Sequence, residues 1–198
     1  MDLVIVGSIG YDDIETPIAT GSDVLGGSAV HAGVSAAFHL PEIPGEVPRV
    51  GLVGPVGKDF SDSHQSKLEG LGIDFSGVQK LPGKTFRWSG RYSGTMETVE
   101  TISTEINVLG DFAPEIPQPW RSPNILFCAN THPASQVMVL DQCPSSEITA
   151  IDTFMLWIET EFEELSSALR KADLAILNEE EVCAISGEEI FMKAIKPI

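Results

Sequence analysis

Gly7-Ser8-Ile9-Gly10-Tyr11-Asp12 and Gly26-Gly27-Ser28-Ala29-Val30-His31-Ala32-Gly33 form the stretch whose reading decides the fold of this chain. Read as one unit, they place an aspartate and a glycine-opened helix at one edge of a sheet. The apolar run Leu3-Val4-Ile5-Val6 just before them has the character of a strand buried on both faces, as in parallel sheets. Asp12 is therefore expected where open parallel sheets present ligands, beyond the C-terminal ends of their strands. An ionised carboxylate there accepts two hydroxyl hydrogen bonds, each worth about 1.5–3 kcal/mol because the acceptor is charged. In outline the stretch is a hydroxyl-binding pocket.

Working outward, further strand-like runs recur at 50–53, 125–128, 149–152 and 174–177, with helix-compatible segments at 27–39, 62–71, 134–141, 161–172 and 179–186. This alternation is the α/β pattern, and right-handed crossovers then cover both faces of a mainly parallel sheet to give three layers, α/β/α. One region breaks the rhythm. Phe86, Trp88 and Tyr92 share one parity, Arg87, Ser89 and Arg91 the other, and 98–109 is also β-branched. Strands over about 85–109 read as a small antiparallel lid inserted in the α/β body, able to close over a ligand, or as an ordinary edge hairpin. Trp88 and Arg91 lie on opposite parities, so only one of them faces the ligand. The proline-rich stretches at 41–48 and 114–123 read as surface connections between elements, leaving residues 1–198 a single domain.

The 198 residues, 42% of them hydrophobic, suffice for a core of this kind, and 29 acidic against 12 basic residues give a formal charge of −17. Such a balance excludes a nucleic-acid backbone or an anionic membrane as partner, since both need a positive face. It fits bound multivalent cations or a solubility trait. Three cysteines without close pairing, two of them in apolar runs, fit a reducing cytoplasm. No apolar run approaches the roughly 18 residues that span a bilayer.

Four motifs in order then resemble the PfkB, or ribokinase-like, family of carbohydrate kinases. They are Gly7-Ser8-Ile9 with Asp12; the Gly26-Gly27 pair; Val50-Gly51-Leu52-Val53-Gly54-Pro55-Val56-Gly57-Lys58-Asp59 running on to Leu71-Gly72-Ile73-Asp74; and Ala172-Asp173-Leu174-Ala175-Ile176-Leu177-Asn178-Glu179-Glu180-Glu181. The resemblance implies a ribokinase-like α/β body with a small β lid, and ATP-dependent phosphotransfer to a hydroxyl of a sugar or nucleoside with Mg²⁺.

By resemblance Asp12 holds substrate hydroxyls, and Gly26 and Gly27 bring backbone N–H groups close to the substrate at a helix N-terminus. His31 stands where the family carries asparagine. It offers a bulkier and chargeable group, and reads equally as a ligand contact or as an edge residue. Trp88 is a candidate substrate contact from the lid. Asn178 and Glu181 match the Asn-x-x-Glu motif that helps place Mg²⁺ through water; the same pair is also a helix capping box. Asp152, ending its strand, faces the same phosphate region.

Family members carry in their final third a Gly-Ala-Gly-Asp segment whose aspartate is the catalytic base. Gly57-Lys58-Asp59 and Gly110-Asp111 lack the second glycine and fall elsewhere, so the base is expected beyond the end of a truncated form. The alternative is a non-catalytic sugar- or nucleoside-binding module. A sheet left with an open last edge also leads us to expect a homodimer.

Overall fold

Six strands, β1 (Leu3–Val6), β4 (Val50–Val56), β5 (Ile73–Lys80), β8 (Ile125–Cys128), β9 (Ile148–Asp152) and β10 (Leu174–Ile176), form one wholly parallel sheet in the order β10-β9-β8-β1-β4-β5. They belong to a computed structural model of the chain, in which residues 1–40 and 48–196 are described. Most of the expected 41–48 connection lies outside the described residues.

Successive side chains along these strands point to opposite faces, so Val4 and Val6 of β1 enter one core and Ile5 the other. On Ile5's side the sheet is covered by α1 (Ser28–His39) and α2 (Asp62–Glu69), with Leu52, Phe60, Leu68 and Phe75 among the buried apolar residues. On the other side lie α3 (Pro133–Gln142) and α5 (Phe162–Leu169), with Trp120, Leu126 and Val139 in the core. The body is thus the expected three-layer α/β/α arrangement. Beyond β9 follow α4 (Met155–Thr160), α6 (Glu179–Ser186) and α7 (Phe191–Ala194).

The second sheet has four strands, β2 (Gly10–Glu15), β3 (Thr20–Gly26), β6 (Phe86–Ser93) and β7 (Thr98–Glu105), in the order β3-β2-β6-β7. It corrects the expectation of an antiparallel lid: the outer pairs are antiparallel hairpins, whereas the central pair β2–β6 is parallel. The reason is topological. β2 and β6 arrive from separate parts of the chain, so two of the four lid strands come from residues 10–26. The expected strand 98–109 ends at Glu105, where the chain turns into a short 3-10 segment at Asn107–Leu109 with Asn107 at φ +48°.

Polar ties fix the lid to the body. Tyr11 accepts a hydrogen bond from the Ser61 N–H (2.9 Å) at the N-cap of α2 and packs against Phe60 and His64. Asp59 Oδ1 accepts from both the N–H and the hydroxyl of Thr85, each at 2.7 Å, at the root of β6. Burial acts to push the Asp59 carboxyl up, yet these bonds win and hold it below the usual carboxylate range. Asp59 is therefore a lid anchor.

Candidate functional site

The main sheet reverses its order around β1, with β4 added on one side and β8 on the other, and ligands of open α/β sheets bind at such a point beyond the strand C-termini. The chain leaving β1 packs there on the start of α1. Ser8 and Ser28 interlock: Ser8 N–H donates to Ser28 Oγ (3.1 Å), Ser28 N–H donates to Ser8 Oγ (2.9 Å), and Ala29 N–H donates to the Ser8 carbonyl (3.0 Å). The Ser28 hydroxyl then donates across the gap to the Asn130 carbonyl just past β8 (2.9 Å).

Gly27, the N-cap of α1, has φ +99°, and a Cβ there would stand 2.8 Å from the Ser8 carbonyl carbon and 3.0 Å from Ile9 Cα. Gly26 is held small by a different neighbour, since a Cβ on it would stand 2.5 Å from Asp12 Cγ. The diglycine thus lets the Asp12 carboxylate close onto the entrance of α1. The first-turn amides of Ser28 and Ala29 are taken by the Ser8 hydroxyl and carbonyl, which ties the start of α1 to the chain leaving β1.

Asp12 lies within strand β2 of the lid, paired with Val24 and Trp88, and not directly beyond the C-terminal end of a main-sheet strand. The lid brings it over that edge instead. Half-buried, its carboxyl is pushed up by burial and by Asp13, against the charge of His31 on the first turns of α1. The structure therefore gathers Asp12, Gly26, Gly27 and an exposed His31 at one place. Trp88 shares Asp12's face of the lid, and Arg91 lies on the opposite face, paired with Glu15 (2.9 Å) and Glu100 (3.4 Å).

A second group lies beyond β8, β9 and β10. Asn178 caps α6 in a full capping box: Glu181 N–H donates to Asn178 Oδ1 (2.9 Å) and Asn178 N–H donates to Glu181 Oε2 (3.0 Å). Glu181 is only 5% exposed. Asp152 faces it, and burial, then the Glu181 charge, pushes the Asp152 carboxyl up to about 6 against backbone N–H donors at Thr153 and Asn130. Two carboxylates that repel each other across a polar edge suit a hydrated divalent cation. Among the described residues no cluster of three or more His, Cys, Asp or Glu forms a cage of direct ligands.

Between the two groups sits Gln136 of α3, 1% exposed, whose Nε2 donates to the carbonyls of Cys128 (3.3 Å), Ala129 (3.2 Å) and Asp152 (2.8 Å) where β8 and β9 part. Beside it Trp157 Nε1 donates to Asn130 Oδ1 (2.9 Å), and the Trp157 ring lies 5.1 Å from that of His132. The sequence reading missed Asn130, Gln136 and Trp157. Asn130 carried a usable signal, standing just past a predicted strand; Gln136 and Trp157 carried none.

A raised carboxyl has a stability consequence whose sign is fixed. Asp152 in the folded chain keeps its proton to higher pH than in the unfolded chain, so stability is full below about pH 4 and falls as the pH rises through about 6. Because the group is partly solvated, about 1 kcal/mol is the expected loss. Urea denaturation of the wild type and of Asp152→Asn between pH 4 and 7.5 should show that loss in the first and its absence in the second.

No family model matches the chain. Among curated proteins, the cytidine kinase of Thermococcus kodakarensis is 26% identical over 195 residues, covering 96% of this chain and 66% of that protein. The chain thus spans less than two thirds of that relative's length. Solved structures share its fold, two of them nucleoside- and sugar-kinase structures with bound ligands. The nucleoside kinase of Burkholderia thailandensis in complex with inosine has a TM-score of 0.70 at 15% identity, over 94% of this chain and 63% of that one. The ribokinase of Cryptococcus neoformans in complex with ADP has a TM-score of 0.65 at 14% identity, over 95% and 61%.

Proposed function

We propose that this chain, whose α/β body and lid have the ribokinase-like fold, holds the acceptor of an ATP-dependent phosphoryl transfer, a nucleoside or sugar hydroxyl, between its lid and its parallel sheet. The observation that carries the reading is the half-buried Asp12 carboxylate, closed onto Gly26 at the head of α1. Such a group accepts hydrogen bonds from vicinal hydroxyls and has no donor to offer a phosphate. The likeness to a curated cytidine kinase supports the same reading.

In this transfer the acceptor oxygen bonds to the γ-phosphorus, the bond to the β–γ bridging oxygen breaks, and the acceptor proton passes to a base. We assign that base to no described residue. Asp12 orients the acceptor, with His31 beside it; the Ser8–Ser28–Asn130 bonds fix the floor; Asp152, Asn178 and Glu181 border the phosphate side. Asn178 Oδ1 and Glu181 Oε2 are engaged in the capping box, so these residues suit Mg²⁺ held through water. When bound, the ion would neutralise phosphate charge.

Cys128 and Cys143 are buried free thiols, and a chain with free cysteines fits a reducing, cytoplasmic setting. No helix among the described residues is long and apolar enough to cross a membrane.

The reading is tested at Asp12. Isothermal titration of nucleosides and sugars into wild type and Asp12→Ala should show affinity falling by about 2 kcal/mol, near thirtyfold, in the variant. Equal affinity in the two proteins would remove Asp12 from the site.

A further inference from the structure

The lid face that carries Asp12 bears one row of side chains across its four strands, Val24, Asp12, Trp88 and Thr104, set by the register of β3 on β2, β2 on β6 and β6 on β7. Residues directly opposite one another share a face. Two positions further along β6 the side chain is missing: Gly90. The Trp88 indole occupies that space, since a Cβ on Gly90 would stand 2.7 Å from Trp88 Cζ3 and overlap other atoms of the ring. Its Nε1–H donates to Thr101 Oγ1 (3.3 Å) and Tyr92 meets it edge-on at 6.4 Å. The ring is thus laid along the sheet and held in plane, and it remains partly exposed.

Strand spacing and a two-residue advance along β6 place Gly90, and the ring over it, about 8 Å from Asp12 on the diagonal. A free pentose gripped by its hydroxyls at Asp12 does not reach across that distance. A pentose bearing a planar base does, and a base stacks on a flat indole whatever its hydrogen-bonding edges. We infer that Trp88, laid flat by Gly90, is the stacking platform for the heterocyclic base of the acceptor, which makes the acceptor a nucleoside and not a free sugar. The inference rests on the assignment of Asp12 to the acceptor hydroxyls.

The test is calorimetric binding of cytidine, adenosine and ribose to wild type, Trp88→Ala, Gly90→Ala and Asp12→Ala. A nucleoside should bind wild type at least tenfold more tightly than ribose. Trp88→Ala, and Gly90→Ala through displacement of the ring, should erase that advantage and leave ribose affinity unchanged, while Asp12→Ala weakens all three ligands. Ribose binding as tightly as the nucleosides, or a nucleoside advantage that survives in Trp88→Ala, would overturn the platform. Unaltered binding in Asp12→Ala would instead overturn the hydroxyl site beneath it, so the two failures are told apart; a wild type that binds no nucleoside overturns both.

Discussion

Replacing Gly27 by alanine is expected to destabilise the chain by about 3 kcal/mol, seen as a fall in Tm of about 6–12 °C. Two effects add. The backbone at φ +99°, ψ 151° lies in a region closed to side chains, and the new methyl would press on the Ser8 carbonyl carbon and Ile9 Cα, neither of which can rotate away. Both belong to the connection from β1 to β2, so the strain is passed to the strand that carries Asp12. Gly94 supplies the control: it also has positive φ, +63°, but nothing lies within 4 Å of an added Cβ. Gly94→Ala should therefore show the conformational part alone, about 1 kcal/mol. Thermal denaturation of the two variants separates backbone strain from collision, and equal losses would mean that Gly27 has no packing role.

The second large effect is expected at Gln136. Gln136→Leu removes the one amide that serves three buried carbonyls where β8 and β9 diverge, and an orphaned buried acceptor costs about 1–3 kcal/mol. A loss of about 3 kcal/mol in urea denaturation is the expected result. Gln136→Met keeps the volume and loses only the donors, so it should be nearly as damaging; a Met variant close to wild type would show that packing, not hydrogen bonding, holds the site. Gln136 Oε1 and Thr153 Oγ1 are buried without protein partners, which marks this junction as built around its donors more than around polar matching in general.

These two residues show how unevenly the sequence speaks. Gly27 was legible because a glycine pair opening a run of small residues signals a close backbone approach at the start of a helix. The strands β1, β8 and β9 were legible as apolar runs between turn residues, and α6 as a helix announced by Asn178 and Glu181 and closed by Gly187 in the left-handed region. Helix α2 ends at Glu69, two residues short of expectation, because Gly70 takes the C-cap. The lid strands β2 and β3 went unread. Gly-Tyr-Asp-Asp-Ile-Glu and Thr-Gly-Ser-Asp-Val-Leu-Gly are rich in charges and glycine, and they hold together through ladder bonds and ion pairs such as Arg87 with Asp13 and Asp23 more than through burial. β5 went unread although Ile73, Phe75 and Gly77 alternate inward, because glycine and polar residues dilute its apolar positions and it follows α2 after only a short turn. Gln136 could not have been found, since its role comes from the parting of two strands that are distant in sequence from each other's ends.

The strand β2 has two faces, and adjacent residues use them differently. Asp12 faces Gly26 at the head of α1, while the Tyr11 hydroxyl, on the other side, receives the Ser61 amide at the head of α2. On the proposed function, a lid that swings to admit or release an acceptor would lengthen or break this bond between tyrosine and backbone, while the Asp59–Thr85 pair holds the root of β6. The exchange rate of one amide proton, 49 residues away in sequence from the carboxylate, becomes a gauge of how often the door stands open.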